Sequence, residues 1–107
     1  MRENIPDHYL KMKKEYPDFL TAVENLGETA KKSGPLDDRT AHFIQLAASV
    51  SNKSEGAVHS HTRQLVQLGV TGKEIRHAVI LLTSTLGFPT VMAGLSWVND
   101  ILHSTKK

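Results

Sequence analysis

Apolar residues recur at three- and four-residue spacing from Phe19 to Leu102, and no stretch alternates apolar and polar residues with a period of two. That spacing fits one face of an α-helix and excludes half-buried strands. Punctuation divides the pattern into short segments. Pro6 opens a first segment running to Lys14, and Pro17 fits the first turn of the next, where Phe19, Leu20, Val23 and Leu26 make one apolar face ended by Gly34-Pro35. Asp37 or Asp38 can cap the following helix, whose stripe is Phe43, Leu46, Ala47 and Val50. After the polar break Ser51-Asn52-Lys53, Ser54 can cap a helix that Gly69 ends. Thr71 and Glu74 form a capping box for a helix carrying Ile75, Val79 and Leu82. Gly87-Phe88-Pro89 interrupts the pattern. A last helix is predicted from about Thr90 to His103, with Met92, Leu95, Trp97, Val98, Ile101 and Leu102. The expected architecture is all-α: one domain over residues 1–107, with five or six short helices and tight connections.

Composition narrows the functions. The chain has 107 residues, a formal net charge of +2 and an apolar fraction of 39%. Its basic residues are scattered and not interleaved with aromatics, so no nucleic-acid partner is expected. No apolar run approaches the roughly 18 residues of a membrane span, and the stretch from Met1 to Pro17 has no apolar signal core. The expectation is therefore a soluble, cytoplasmic protein with no membrane partner. There are no cysteines, which removes thiolate nucleophiles, disulfides and Cys-ligated metal from consideration.

One residue breaks a pattern. On the helix "SEGAVHSHTRQLVQLG", positions 54, 57, 58, 61, 65 and 68 share a face and read Ser, Ala, Val, His, Leu, Leu. His61 is the one strongly polar group in that seam. Its simplest role is a core histidine whose nitrogens bond to backbone or water. A neutral imidazole there can also hold and pass a proton. His59 lies about 200° around the helix and should point elsewhere. His42, on the preceding helix, reads most simply as half-exposed. A metal site is not expected: the "HSH" spacing is poor for two ligands on one helix, there is no HExxH, and no acidic partner stands at ligand spacing. Ser54 lacks the strand–turn–helix elbow of a nucleophilic serine.

The segment "LDDRTAHFIQLAASVSNKSEGAVHSHTRQLVQLGVTGKEIRHAVILLTSTLGFP" resembles the carboxymuconolactone decarboxylase family, which includes the AhpD-like alkylhydroperoxidases. The "LD..T" helix, the "EG…H.R..L..G.T..EI" segment and the later "GFP" match in order and spacing, and the likeness covers about Leu36 to Leu102. It implies an AhpD-like helical fold assembled as a homo-oligomer, a trimer or a hexamer. Peroxidase members carry C-x-x-C-x-x-x-H on this helix and a glutamate on the preceding one. His61 stands at the motif histidine, Ser54 and Ala57 where the cysteines would be, and His42 where the glutamate is usual. Peroxide reduction by thiol–disulfide exchange needs the two sulfurs, so it is excluded for this chain.

The decarboxylase branch needs no cysteine. The resemblance therefore implies a lyase or acid–base enzyme acting on a small lactone, keto acid or related organic acid. In it His61 moves the proton, His42 is a second proton carrier or binds a carboxylate, and Ser54 bonds substrate or sets the His61 tautomer. Ala57, Phe88, Pro89 and Trp97 are expected to line the pocket, with no cofactor and no metal. Arg39, Arg63 and Arg76 read as surface residues, so no arginine pair for a substrate carboxylate is evident. The alternative is a non-catalytic oligomer that binds a small ligand or a protein partner.

Overall fold

The computed structural model describes residues Asp7 to Thr105. Six helices of nine residues or more are present, with one single-turn segment and, among the described residues, no strand: α1 (Asp7–Glu15), α2 (Pro17–Lys31), α3 (Asp38–Ser51), α4 (Glu55–Gln67), α5 (Gly72–Ile80), α6 (Thr83–Leu86) and α7 (Phe88–Thr105). The all-α expectation holds. Pro6 lies outside the described residues. No helix among them is long and apolar enough to cross a membrane.

The chain divides after Leu36 into two compact units. The first contains α1 and α2. Pro17 occupies the first turn of α2, where its missing N–H costs nothing. The Tyr9 hydroxyl donates to the Glu24 carboxylate, and Lys13 Nζ lies 3.0 Å from the same carboxylate. These bonds hold the Glu24 carboxyl below its ordinary range, the Tyr9 hydrogen bond contributing most. The apolar face read from the sequence is real as a helical stripe, but of its members only Leu20 is buried; Phe19, Val23 and Leu26 are 61%, 48% and 70% exposed.

The second unit holds the core. Leu46 and Val50 from α3, Val58 and Leu65 from α4, Val70 from the connection between α4 and α5, Ile75 and Val79 from α5, and Val91, Val98 and Leu102 from α7 form one buried cluster. Each such side chain contributes about 1.5–3 kcal/mol by leaving water. Thr62 is fully buried within α4, and its hydroxyl donates to the Val58 carbonyl at 2.7 Å, which removes the cost of an unbonded polar group.

Local chemistry fixes where these helices begin and end. The Asp37 carboxylate accepts from the Thr40 N–H at 2.9 Å and caps α3. α3 stops in a Schellman turn: Lys53 N–H donates to Val50 O and Ser54 N–H to Ser49 O, both at 3.0 Å. Lys53 takes the left-handed conformation (φ 55) that glycine usually fills. α4 ends in a second such turn, with Gly69 at φ 86 as its spacing predicts, and Val70 folds back to bond Leu65. The capping box of α5 is complete: Glu74 N–H donates to Thr71 Oγ1 at 3.1 Å and Thr71 N–H to Glu74 Oε1 at 2.9 Å. Those backbone and side-chain bonds, with Arg39 Nη2 at 2.8 Å, hold the Glu74 carboxyl below its ordinary range.

Two boundaries differ from the sequence expectation. The helix carrying Ile75 ends at Ile80, not at Gly87, and the Thr83 hydroxyl takes the Ile80 carbonyl at 2.7 Å in place of a continuing helical bond. α7 starts at Phe88, two residues before Thr90, with Pro89 in its first turn.

α7 crosses α3 at Gly94. A Cβ there would lie 2.9 Å from Val50 Cγ1 and 3.1 Å from Cγ2, both on a buried, β-branched side chain with little freedom to turn away. Gly94→Ala is therefore expected to destabilise the protein by about 1–3 kcal/mol through overpacking, despite alanine's better helix propensity. Urea unfolding followed by circular dichroism checks this.

Candidate functional site

The site begins with a hairpin. α3 and α4 are antiparallel neighbours joined by the tight turn at Asn52-Lys53, so residues at similar distances from it face each other. His42 precedes Asn52 by ten residues and His61 follows it by nine. Their rings meet: Nδ1 of His42 lies 3.0 Å from Nδ1 of His61, with ring centroids 5.2 Å apart and planes inclined at 46°. His42 is buried, only 6% exposed, which corrects the expectation of a half-exposed residue; the α3–α4 contact covers it. His61 is half-buried.

This contact restricts protonation. A hydrogen bond between two Nδ1 atoms needs a proton on one and a lone pair on the other. In a neutral pair, the ring that donates through Nδ1 keeps a lone pair on its Nε2. The ring that accepts must carry its proton on Nε2. The pair thus holds one basic and one acidic Nε2 at the same time. The roles exchange only when the basic Nε2 gains a proton, the shared proton crosses, and the other Nε2 releases its own. Full protonation of both rings would set two N–H groups and two positive charges against each other, so the pair titrates as a unit.

The other expected site residues are placed as follows. Ser54 is the N-cap of α4, and its hydroxyl oxygen accepts from the Ala57 N–H at 3.4 Å. It stands seven residues before His61, roughly 10 Å along the helix axis. Ala57 is half-buried one turn before His61. Phe88, at 63% exposure, and Pro89 lie on the outside of the first turn of α7, while Trp97 packs against the apolar core. What the fold brings together is the histidine pair. Of the arginines, Arg39 is exposed and paired with Glu74, whereas Arg76 is half-buried and donates from Nε to Asn99 Oδ1 at 2.8 Å, so it is not simply a surface residue.

His59 points away from the pair, as its helical angle predicts. Its Nε2 lies 3.0 Å from Asp100 Oδ2 on α7 and 3.9 Å from Glu55 Oε2. The sequence expectation that no acidic group stands at ligand spacing is corrected here: Glu55 precedes His59 by four residues, one helical turn. Asp100 carries no such signal in the sequence, because only the packing of α4 on α7 brings it near.

These features define an all-α protein with a bonded imidazole pair between two antiparallel helices. The model of the carboxymuconolactone decarboxylase family matches residues 17–100, and the chain belongs to that family. An uncharacterized protein of Methanocaldococcus jannaschii is 26% identical over 102 residues, which span 94% of this chain and 95% of that protein. An uncharacterized protein of Haemophilus influenzae is 30% identical over 61 residues, 57% of this chain and 54% of that one. The crystal structure of an apo carboxymuconolactone decarboxylase family protein from Legionella pneumophila superposes with a TM-score of 0.77 at 26% identity, covering 92% of this chain and 88% of that chain.

The shared proton yields a direct expectation. In wild-type protein the His42 and His61 resonances follow one another through two separated protonation steps. In His42→Ala, His61 titrates in a single step. NMR pH titration of both proteins reads this, and a His61 curve that His42→Ala leaves unchanged would show uncoupled rings.

Proposed function

We propose that this chain is a cysteine-independent acid–base enzyme acting on a small lactone, keto acid or related organic acid, with the His42–His61 pair as its proton-transfer unit. The observation that carries the reading is the 3.0 Å Nδ1–Nδ1 contact. His61 is the more accessible ring, and its Nε2, on the edge away from His42, is the proposed atom that meets substrate. His42 holds the second proton in a buried position.

The chemistry balances without an external redox partner. In a proton shift, Nε2 of His61 takes a proton from the carbon beside the substrate carbonyl, and the proton between the rings moves to His42, which carries the positive charge in a buried position. The same Nε2 then returns a proton to the enolate oxygen or to another carbon, the shared proton moves back, and the pair ends as it began. In a decarboxylation, which consumes one proton, the bond to the carboxylate breaks, carbon dioxide leaves, and the acidic ring protonates the carbanion before water restores the pair. A thiol peroxidase cycle has no sulfur to run on in this chain.

A second reading, ligand or partner binding without catalysis, is favoured by the replacement of the motif cysteines by Ser54 and Ala57 and of the glutamate by His42. Turnover separates the two. His61→Ala is expected to lower kcat by about 10²–10⁴, the usual worth of a positioned acid or base, on whichever lactone or keto acid the wild type accepts. Turnover unchanged in His61→Ala would leave the binding reading standing.

We also propose that the chain assembles as a homo-oligomer, a trimer or a hexamer. The exposed Phe19, Val23 and Leu26 lie on one face of α2, and Ile80, Leu81, Phe88 and Met92 are also exposed apolar residues. Apolar stripes of this kind are normally covered. Sedimentation of wild type is expected to give a trimer or larger species at micromolar concentration, and Leu26→Glu a smaller one; a wild-type monomer would contradict the assembly.

A further inference from the structure

We propose that Glu55, His59 and Asp100 form a binding site for a divalent transition-metal ion, Zn²⁺ above all, that clasps α4 to α7. The site is separate from the histidine pair.

Three ligand-grade atoms converge from two helices: one each from Glu55, His59 and Asp100, all within 4.8 Å of one another. Glu55 and His59 stand one turn apart on the same face of α4, an i,i+4 relation that lets two side chains reach one point. Around a single zinc ion with ligand bonds of about 2.0–2.2 Å, neighbouring ligand atoms sit roughly 3–3.5 Å apart. The observed separations from His59 Nε2, 3.0 Å to Asp100 and 3.9 Å to Glu55, bracket that range. A small rotation of the exposed Glu55 carboxylate closes the remaining gap.

The three residues differ in how they are held. The His59 side chain is only 18% exposed, so packing fixes its ring. The Glu55 and Asp100 side chains are 59% and 53% exposed, which leaves an entry path and room for water to complete the coordination shell. One imidazole nitrogen with two carboxylate oxygens suits zinc and its first-row neighbours better than the oxygen-seeking magnesium or calcium. The same geometry serves a proton, since a protonated His59 donates to Asp100. Metal and proton therefore compete for Nε2, and metal binding strengthens as pH rises. His59 is two residues from His61 but about 200° around the helix. The ion would thus brace the helix that carries the reacting histidine without entering its site.

The experiment is calorimetric titration of tag-free protein with zinc sulfate near neutral pH, with wild type and four variants, each checked for helical content. Wild type is expected to bind one Zn²⁺ per chain. His59→Ala, Asp100→Asn and Glu55→Gln each weaken binding, by about 10–100-fold for the first two, on the scale of a disrupted metal site. His61→Ala leaves binding unchanged. Zinc raises the melting temperature of wild type and not of Asp100→Asn. Should His59→Ala fail to fold, the two substitutions at exposed carboxylates carry the test alone. Absence of stoichiometric binding, binding that survives the carboxylate substitutions, or binding lost in His61→Ala would overturn the proposal.

Discussion

The tight connection between α3 and α4 is the constraint on which the site depends. Six residues, Ser49 to Ser54, close a Schellman turn with two backbone hydrogen bonds of 3.0 Å, and Lys53 accepts a left-handed backbone to make it. A non-glycine residue in that conformation is uncommon and costs roughly 1 kcal/mol. In return the turn sets the register of two helices. Once it is closed, His42 and His61 must lie opposite each other. A longer or looser connection would let the helices slide by a turn and separate the rings. The apolar cluster then locks the register, because Leu46 and Val50 of α3 and Val58 and Leu65 of α4 are fully buried in it.

Much of this fold can be read from the chain. The caps at Asp37, Ser54 and Thr71 and the left-handed Gly69 fall where their residue types require them, because capping is local chemistry set by a few neighbouring residues. What escaped was set at longer range. The burial of His42 could not be read from α3 alone, since it comes from the helix packed against it. The Phe19–Val23–Leu26 face is a correct helical stripe whose exposure no periodicity reveals. The pairing of Asp100 with His59 spans 41 positions and is invisible in one dimension. The Glu55–His59 pair, by contrast, is local: one helical turn separates the two residues, and the i,i+4 spacing marks it in the sequence.

The chain lacks the sulfurs that thiol redox chemistry needs and holds an imidazole pair that suits the proposed acid–base chemistry. Two sulfurs at positions 54 and 57 would support thiol exchange; a serine and an alanine there do not. In this chain the Ser54 oxygen caps α4. What remains reactive is the imidazole pair, in which each ring fixes the tautomer of the other. A lone core histidine would need a backbone or water partner to settle that question. Here the partner is itself a titratable group, so a proton taken up at His61 can be shared with His42. That property connects family membership, hairpin register and the proposed reaction.

The most direct measurement of this account is the scalar coupling between the two Nδ1 nuclei across their hydrogen bond, in protein labelled with ¹⁵N at histidine and held near neutral pH. The account predicts a resolvable coupling between His42 and His61, with one ring in each tautomer. Two rings that both carry their proton on Nε2, with no coupling between the Nδ1 nuclei, would mean that no proton is shared, and would contradict the relay on which the proposed function rests.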